Sequence, residues 1–161
     1  RRELGSEYRR ERQRCISARH TMTSSSDAEA IIAICTTADI VVARRLTRQL
    51  AACLGFGSAD QTRMATAVSE LTRNVIEYAK RGECRISDAS EDAFNCIKVV
   101  VEDNGPGIAN VAQAMQDGYS TGGSLGAGLP GTRRLVHSFM IESRPGLTRV
   151  TISMSIRKDA P

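Results

Sequence analysis

Apolar positions follow a helical period in the first half of this chain and a strand-like pattern through much of the second. Ala30–Cys35 is a short apolar run that predicts a buried strand. Asp39 is placed to cap a helix whose stripe is Ile40, Ala43, Leu46, Leu50 and Leu54, with Gly55 as its stop. A second helix is predicted from Ser58 or Asp60 to about Lys80, carrying Met64, Ala67, Val68, Leu71, Val75 and Tyr78 on one face and ended by Arg81-Gly82. Strands follow at Cys84–Asp88 and Cys96–Val101, joined by a polar loop. After a glycine-rich stretch over 104–131, a helix from about Ala127 to Phe139 and two closing strands, Phe139–Ser143 and Arg149–Ile156, turn about Pro145-Gly146. No internal repeat is visible. This order predicts an α+β two-layer sandwich, a mixed β-sheet with helices on one face.

At 161 residues the chain has room for one domain with a real core, or one domain and an appendage. Aromatics make up only 4% and Trp is absent, so the core must be aliphatic. The net charge of +4 suggests a nucleic-acid binder until it is mapped. Seven of the 22 basic residues and three of the 18 acidic ones fall in 1–21, leaving 15 of each sign in the body. The basicity thus belongs to residues 1–21, within a mobile N-terminal extension over 1–28 in which Met22 is a candidate start, ahead of a functional domain over 29–161. No apolar stretch is long enough to span a bilayer, and none follows the basic end as in a secretory signal. Five scattered Cys without a C-x-x-C pair, and two His, argue against zinc and for a reduced, cytoplasmic protein.

Three groups of residues carry candidate chemistry. Glu70 and Asn74 are four apart on the second helix, about 40° from one another at the edge of its apolar stripe. Such a pair can line a pocket or simply mark the water boundary. Asp103 shares a strand face with Ile97, Val99 and Val101, so it points inward if that face is the core, where a carboxylate needs a hydrogen-bond donor. Gly105 and Gly107 follow around Pro106, as a ligand-accessible loop or a plain turn. Then Ser120–Gly131 leads into a helix start, where free N–H groups and the helix dipole favour phosphate. Gly126–Gly131 spells G-x-G-x-x-G, but no strand precedes it and no acidic residue lies about 20 positions on, so a dinucleotide fold is excluded. The absence of Gly-Lys-Ser/Thr excludes a Walker A loop.

Taken in order, Glu-x-x-x-Asn on a helix, Asp-x-Gly-x-Gly after a strand and a glycine-rich loop before a helix resemble the GHKL ATPase superfamily. The segments L-G-F-G-S-A-D-Q, S-E-L-T-R-N, E-D-N-G-P-G-I and G-Y-S-T-G-G-S-L-G-A-G-L-P-G look like those of RsbT-type serine/threonine switch kinases. The resemblance spans roughly 30–157 and implies the Bergerat ATP-binding fold. It implies that Asn74 binds Mg²⁺ and Glu70 is the catalytic base. Asp103 would read adenine, Gly105 and Gly107 would shape its pocket, Gly126 and Gly128 would cradle phosphate, and Thr148 would share a water with Asp103. Two departures from the family pattern are Leu147, which separates Gly146 from Thr148, and Ser124, which lengthens the glycine-rich loop.

The function so implied is Mg²⁺–ATP-dependent phosphorylation of a STAS-domain antagonist or scaffold in bacterial partner-switching stress signalling. A phosphatase is a possible further partner, as is a second copy of the chain. The alternative is an anti-sigma factor that sequesters a sigma factor and uses nucleotide to choose partners. A histidine-kinase fragment is disfavoured by the lack of long dimerising helices or a His-Glu phosphoacceptor. Arg133 and Arg134 are expected at the surface, His137 in helix packing, and Ser120 and Thr121 in a short lid or turn.

Overall fold

The computed structural model describes residues 29–116 and 128–158. The expected extension over 1–28, and Ser120, Thr121 and Gly126 of the glycine-rich loop, lie outside the described residues. Strand β1 (Glu29–Ile34) leads into helix α1 (Thr37–Cys53) and helix α2 (Ser58–Asn74), which continues as one π-helical turn over Val75–Ala79. Strands β2 (Gly82–Asp88) and β3 (Phe94–Asp103) follow, then a short helix α3 (Val111–Ala114), helix α4 (Gly128–Leu135), and the closing pair β4 (Ser138–Arg144) and β5 (Leu147–Arg157).

The five strands form one sheet in the order β1-β2-β3-β5-β4. Among the described residues every ladder is antiparallel, where a mixed sheet was expected. Two long helices in series, joined by the short link 54–57, return the chain so that β2 runs against β1. The crossover through α4 does leave β4 pointing the same way as β3. However, β5 lies between them and runs against both, so no parallel ladder forms.

Helices α1, α2 and α4 supply one layer and the inward residues of the sheet the other. Ile34, Met64, Val68, Ile86, Ile97, Val99, Ile152 and Met154 are essentially sealed from solvent, giving the aliphatic core that the composition requires. Four hydroxyls share this layer without cost to it. Thr47, Ser69, Thr72 and Thr132 each donate to the carbonyl four residues earlier, on Ala43, Ala65, Val68 and Gly128. Burial also pushes the Cys84 thiol up to about 12, which makes it a packing group. On the outer face Arg149 bridges Glu102 at 2.7 Å and Glu142 at 3.2 Å across three neighbouring strands.

Two helix ends differ from expectation, for local reasons, and the end of the long helix falls where expected. Thr36, not Asp39, caps α1. Asp39 sits three residues in and its Oδ2 accepts from the Thr36 N–H at 2.8 Å, the Cys35 N–H at 3.0 Å and the Thr36 hydroxyl at 3.0 Å. The long helix ends at Lys80, in the left-handed region at φ 70°, before Gly82 opens β2. The α4 helix stops at Leu135. His137 is therefore exposed in a bend, where its Nδ1 accepts from the Ser155 N–H at 3.1 Å. Among the described helices, none is long and apolar enough to cross a membrane.

The backbone N–H groups of Cys35 and Thr36 hold the Asp39 carboxylate below its ordinary value. This contribution to stability is present above the unfolded-state value of an Asp and is lost as pH falls through the lower folded one. Asp39→Ala is expected to cost about 1 kcal/mol in urea unfolding at pH 7. The difference from the parent should shrink on acidification below about pH 4.

Candidate active site

Helix α2 carries Glu70 and Asn74 on successive turns, at the border between the buried residues Leu71 and Val75 and the surface. The π-helical turn follows directly after Asn74. One extra residue per turn at this point rotates what comes next, and Tyr78, expected in the core stripe, comes out half exposed at the rim of a cavity. Glu70 pairs with Arg73 at 2.5 Å, which holds its carboxylate on the helix rim.

Across from the helix, β3 ends at Asp103. The inward face expected for this residue is the observed one, since Ile97, Val99 and Val101 are all buried. Its register partner on β5 is Thr148 and on β2 is Gly82. Oδ1 of Asp103 accepts from the Gly105 N–H at 2.9 Å. Burial raises the carboxyl above the usual Asp value; the Gly105 bond works against this and the neighbouring Glu102 charge adds to it.

The loop after Asp103 is docked onto the β4–β5 turn. Asn104 Nδ2 donates to the Gly146 carbonyl at 3.1 Å, and the Gly146 N–H donates to the Gly105 carbonyl at 2.9 Å. The Ile108 N–H donates to Ser143 Oγ at 2.8 Å, and that hydroxyl meets Thr148 Oγ1 at 2.9 Å. Glycine is required twice here. Gly107 has φ +77° and its α-carbon lies against the Arg144 carbonyl, leaving no space for a β-carbon. Gly105 lies against Ala79 at the end of the π turn, where a β-carbon would come within 2.7 Å of the alanine methyl.

Together these elements enclose a cavity of about 310 Å³. Glu70, Asn74, Asp103, Gly107, Gly128 and Thr148 all line it, although they come from four separate segments. Gly105 stands behind the wall and acts on the cavity through Asp103. Gly126 lies outside the described residues. Leu71, Val75, Val101, Ile108, Leu129 and Val150 supply apolar walls. The size and the mix of apolar walls with a few convergent polar groups suit a small organic ligand. The Asn74 amide oxygen and the Glu70 carboxylate are hard donors of the kind Mg²⁺ accepts. Among the described residues no three His, Cys, Asp or Glu cluster for a metal, so such an ion would need water and ligand oxygens to complete its shell.

Some site residues were not anticipated. Tyr78, Asn110 and Gln113 line the cavity. Asn110 caps α3 by accepting from the Gln113 N–H at 2.9 Å, a cap visible in Asn-Val-Ala-Gln had a four-residue helix been considered. Ser143 carries no sequence signal, because its role depends on strand register. Arg133 and Arg134 are exposed, as expected, and border a separate depression with Met115, Gln116 and Pro130.

A family model described as a histidine kinase-like ATPase domain matches residues 35–154. The serine/threonine-protein kinase RsbT of Bacillus subtilis (strain 168) is 45% identical over 118 residues, 73% of this chain and 89% of that protein.

Gly107→Ala tests the docking of the loop. The positive φ and the contact with Arg144 should together cost about 2–3 kcal/mol in urea unfolding and reduce ligand affinity at the cavity. Gly57→Ala, at a position with open space for a β-carbon, is the matched control and should change stability by less than about 1 kcal/mol.

Proposed function

The chain belongs to the histidine kinase-like ATPase family, and on that footing we propose that it is a Mg²⁺–ATP-dependent protein serine/threonine kinase whose substrate is a STAS-domain protein of a bacterial partner-switching stress pathway. The observation that carries this reading is the single cavity lined by Glu70 and Asn74 on one side and Asp103 and Thr148 on the other. Phosphoryl transfer needs positioning and charge stabilisation more than covalent help from the protein, and a site of this size can provide both.

Each residue has a role set by its chemistry. Asp103 accepts from the exocyclic amine of adenine, a charge-assisted bond that contributes about 1.5–3 kcal/mol. Gly107 keeps the base and ribose side of the cavity open, and Gly128, at the start of α4, offers backbone to phosphate oxygens. Asn74 supplies one amide oxygen to Mg²⁺. When bound, Mg²⁺–ATP supplies the γ-phosphoryl group. Glu70 takes the proton from the acceptor Ser or Thr hydroxyl as its oxygen bonds phosphorus and ADP departs. Arg73 steers Glu70 through their ion pair.

The test is transfer of label from Mg²⁺–ATP to a STAS-domain protein from the same source. Asn74→Ala should reduce transfer by at least about 100-fold, and Glu70→Gln should lower kcat by about 10²–10⁴ while leaving ATP affinity within about twofold. Absence of label on the partner, or full activity in Asn74→Ala, overturns the reading.

Asp103 adds a pH test. Its raised folded value means that the fold disfavours the ionised form, so acidification relieves a cost to stability while removing the charge from the acceptor. ATP affinity should therefore begin to fall at a higher pH than an ordinary Asp would give. Asp103→Asn should bind ATP about 10–100-fold more weakly yet melt no lower than the parent at pH 7.

A further inference from the structure

Ser143 is a polar side chain that ties the loop after β3 to the strand opposite Asp103, yet it is not among the cavity's lining residues. We propose that Ser143 is a positioning residue for base selectivity: its hydroxyl turns Thr148 into a hydrogen-bond donor at the cavity wall, beside the acceptor Asp103. This inference rests on the ATP reading above and deepens it.

A hydroxyl has one proton to give and two lone pairs to receive. One lone pair of Ser143 Oγ is occupied by the Ile108 N–H at 2.8 Å. Its other contact is Thr148 Oγ1 at 2.9 Å, across the β4–β5 ladder in which the two residues are direct partners. When Ser143 gives its proton to Thr148, the bonds run in one sense from Ile108 N–H to Ser143 O–H to Thr148 O–H, and each link polarises the next. The Thr148 proton is then left for the cavity that Thr148 lines. Asp103, the register partner of Thr148 on β3, presents a carboxylate to the same cavity.

An acceptor beside a donor complements the edge of a 6-aminopurine, which offers an amine and then a bare ring nitrogen. A 6-oxopurine offers the reverse order, a carbonyl and then a ring N–H, and meets like with like at both positions. Selectivity for adenine thus depends on the sense of the Ser143–Thr148 bond as well as on Asp103. Without the Ser143 hydroxyl, Thr148 is free to rotate and present either a proton or a lone pair. The Ile108 N–H simultaneously loses its partner.

Calorimetric titration of the full chain with Mg²⁺–ATP and with Mg²⁺–GTP, for the parent, Ser143→Ala and Ser143→Thr, tests this. Ser143→Ala should weaken ATP binding about five- to tenfold and GTP binding less, narrowing the preference, while amide exchange at Ile108 accelerates. In turnover the loss should appear in KM for ATP rather than in kcat. Ser143→Thr, which retains the hydroxyl, should restore both the preference and the protection of Ile108. Equal weakening of ATP and GTP would reduce Ser143 to a structural tie and overturn the inference, as would unchanged binding or a parent protein that does not prefer ATP. A parent that prefers ATP but labels no STAS protein counts against the kinase reading alone, and the selectivity change in Ser143→Ala then still supports this one.

Discussion

The pairing of β3 with β5 is the constraint on which the site depends. Ten residue pairs, from Phe94 with Arg157 to Asp103 with Thr148, lock the two central strands in one register. Because side chains alternate between faces, a slip of one residue would send Asp103 to the outer face and bring Glu102 inward. The buried run Ile97, Val99 and Val101 on β3, packed beside Val150, Ile152 and Met154 on β5, forbids that slip, since it would turn all three β3 residues out of the core at once. A polar pair at the end of the ladder is therefore positioned by apolar side chains along its length.

The opposite wall depends on how α2 ends. A regular helix continuing past Asn74 would keep Tyr78 on the apolar stripe with Leu71 and Val75. The π turn breaks that continuity and the left-handed Lys80 reverses the chain into β2. The Ala79 methyl then meets Gly105, so the end of the helix and the loop after Asp103 set each other's position. Glu70 and Asn74 thus face Asp103 across a gap whose width both structures determine.

Much of this was legible in the sequence, for physical reasons that differ from residue to residue. The inward direction of Asp103 follows from alternation alone. Glu70 and Asn74 follow from helical spacing, and their shared cavity with Asp103 from the family resemblance. The antiparallel ladders were missed because chain order does not reveal that β5 inserts between β3 and β4. The cap of α1 was misplaced by three residues because Asp39 is a good capping residue used here at the third helical position. Leu147, which interrupts the family pattern before Thr148, does not move that residue away from Asp103, since the tight β4–β5 turn restores the register.

The distribution of charge bears on how such a site would recognise its ligand. Among the described residues that line the cavity there is no Lys or Arg. Arg149 is engaged with two glutamates on the outer face of the sheet, and Arg133 and Arg134 border a different depression. On the proposed reading, phosphate charge at these residues is met by Mg²⁺ on Asn74 and by backbone at Gly128, neither of which distinguishes one nucleoside triphosphate from another. Discrimination must then come from the base end, where the polar groups are few and their donor or acceptor state is set by neighbours: Gly105 for Asp103, and Ser143 for Thr148. A site that leaves phosphate to metal and main chain places its specificity in the hydrogen bonds behind the base pocket.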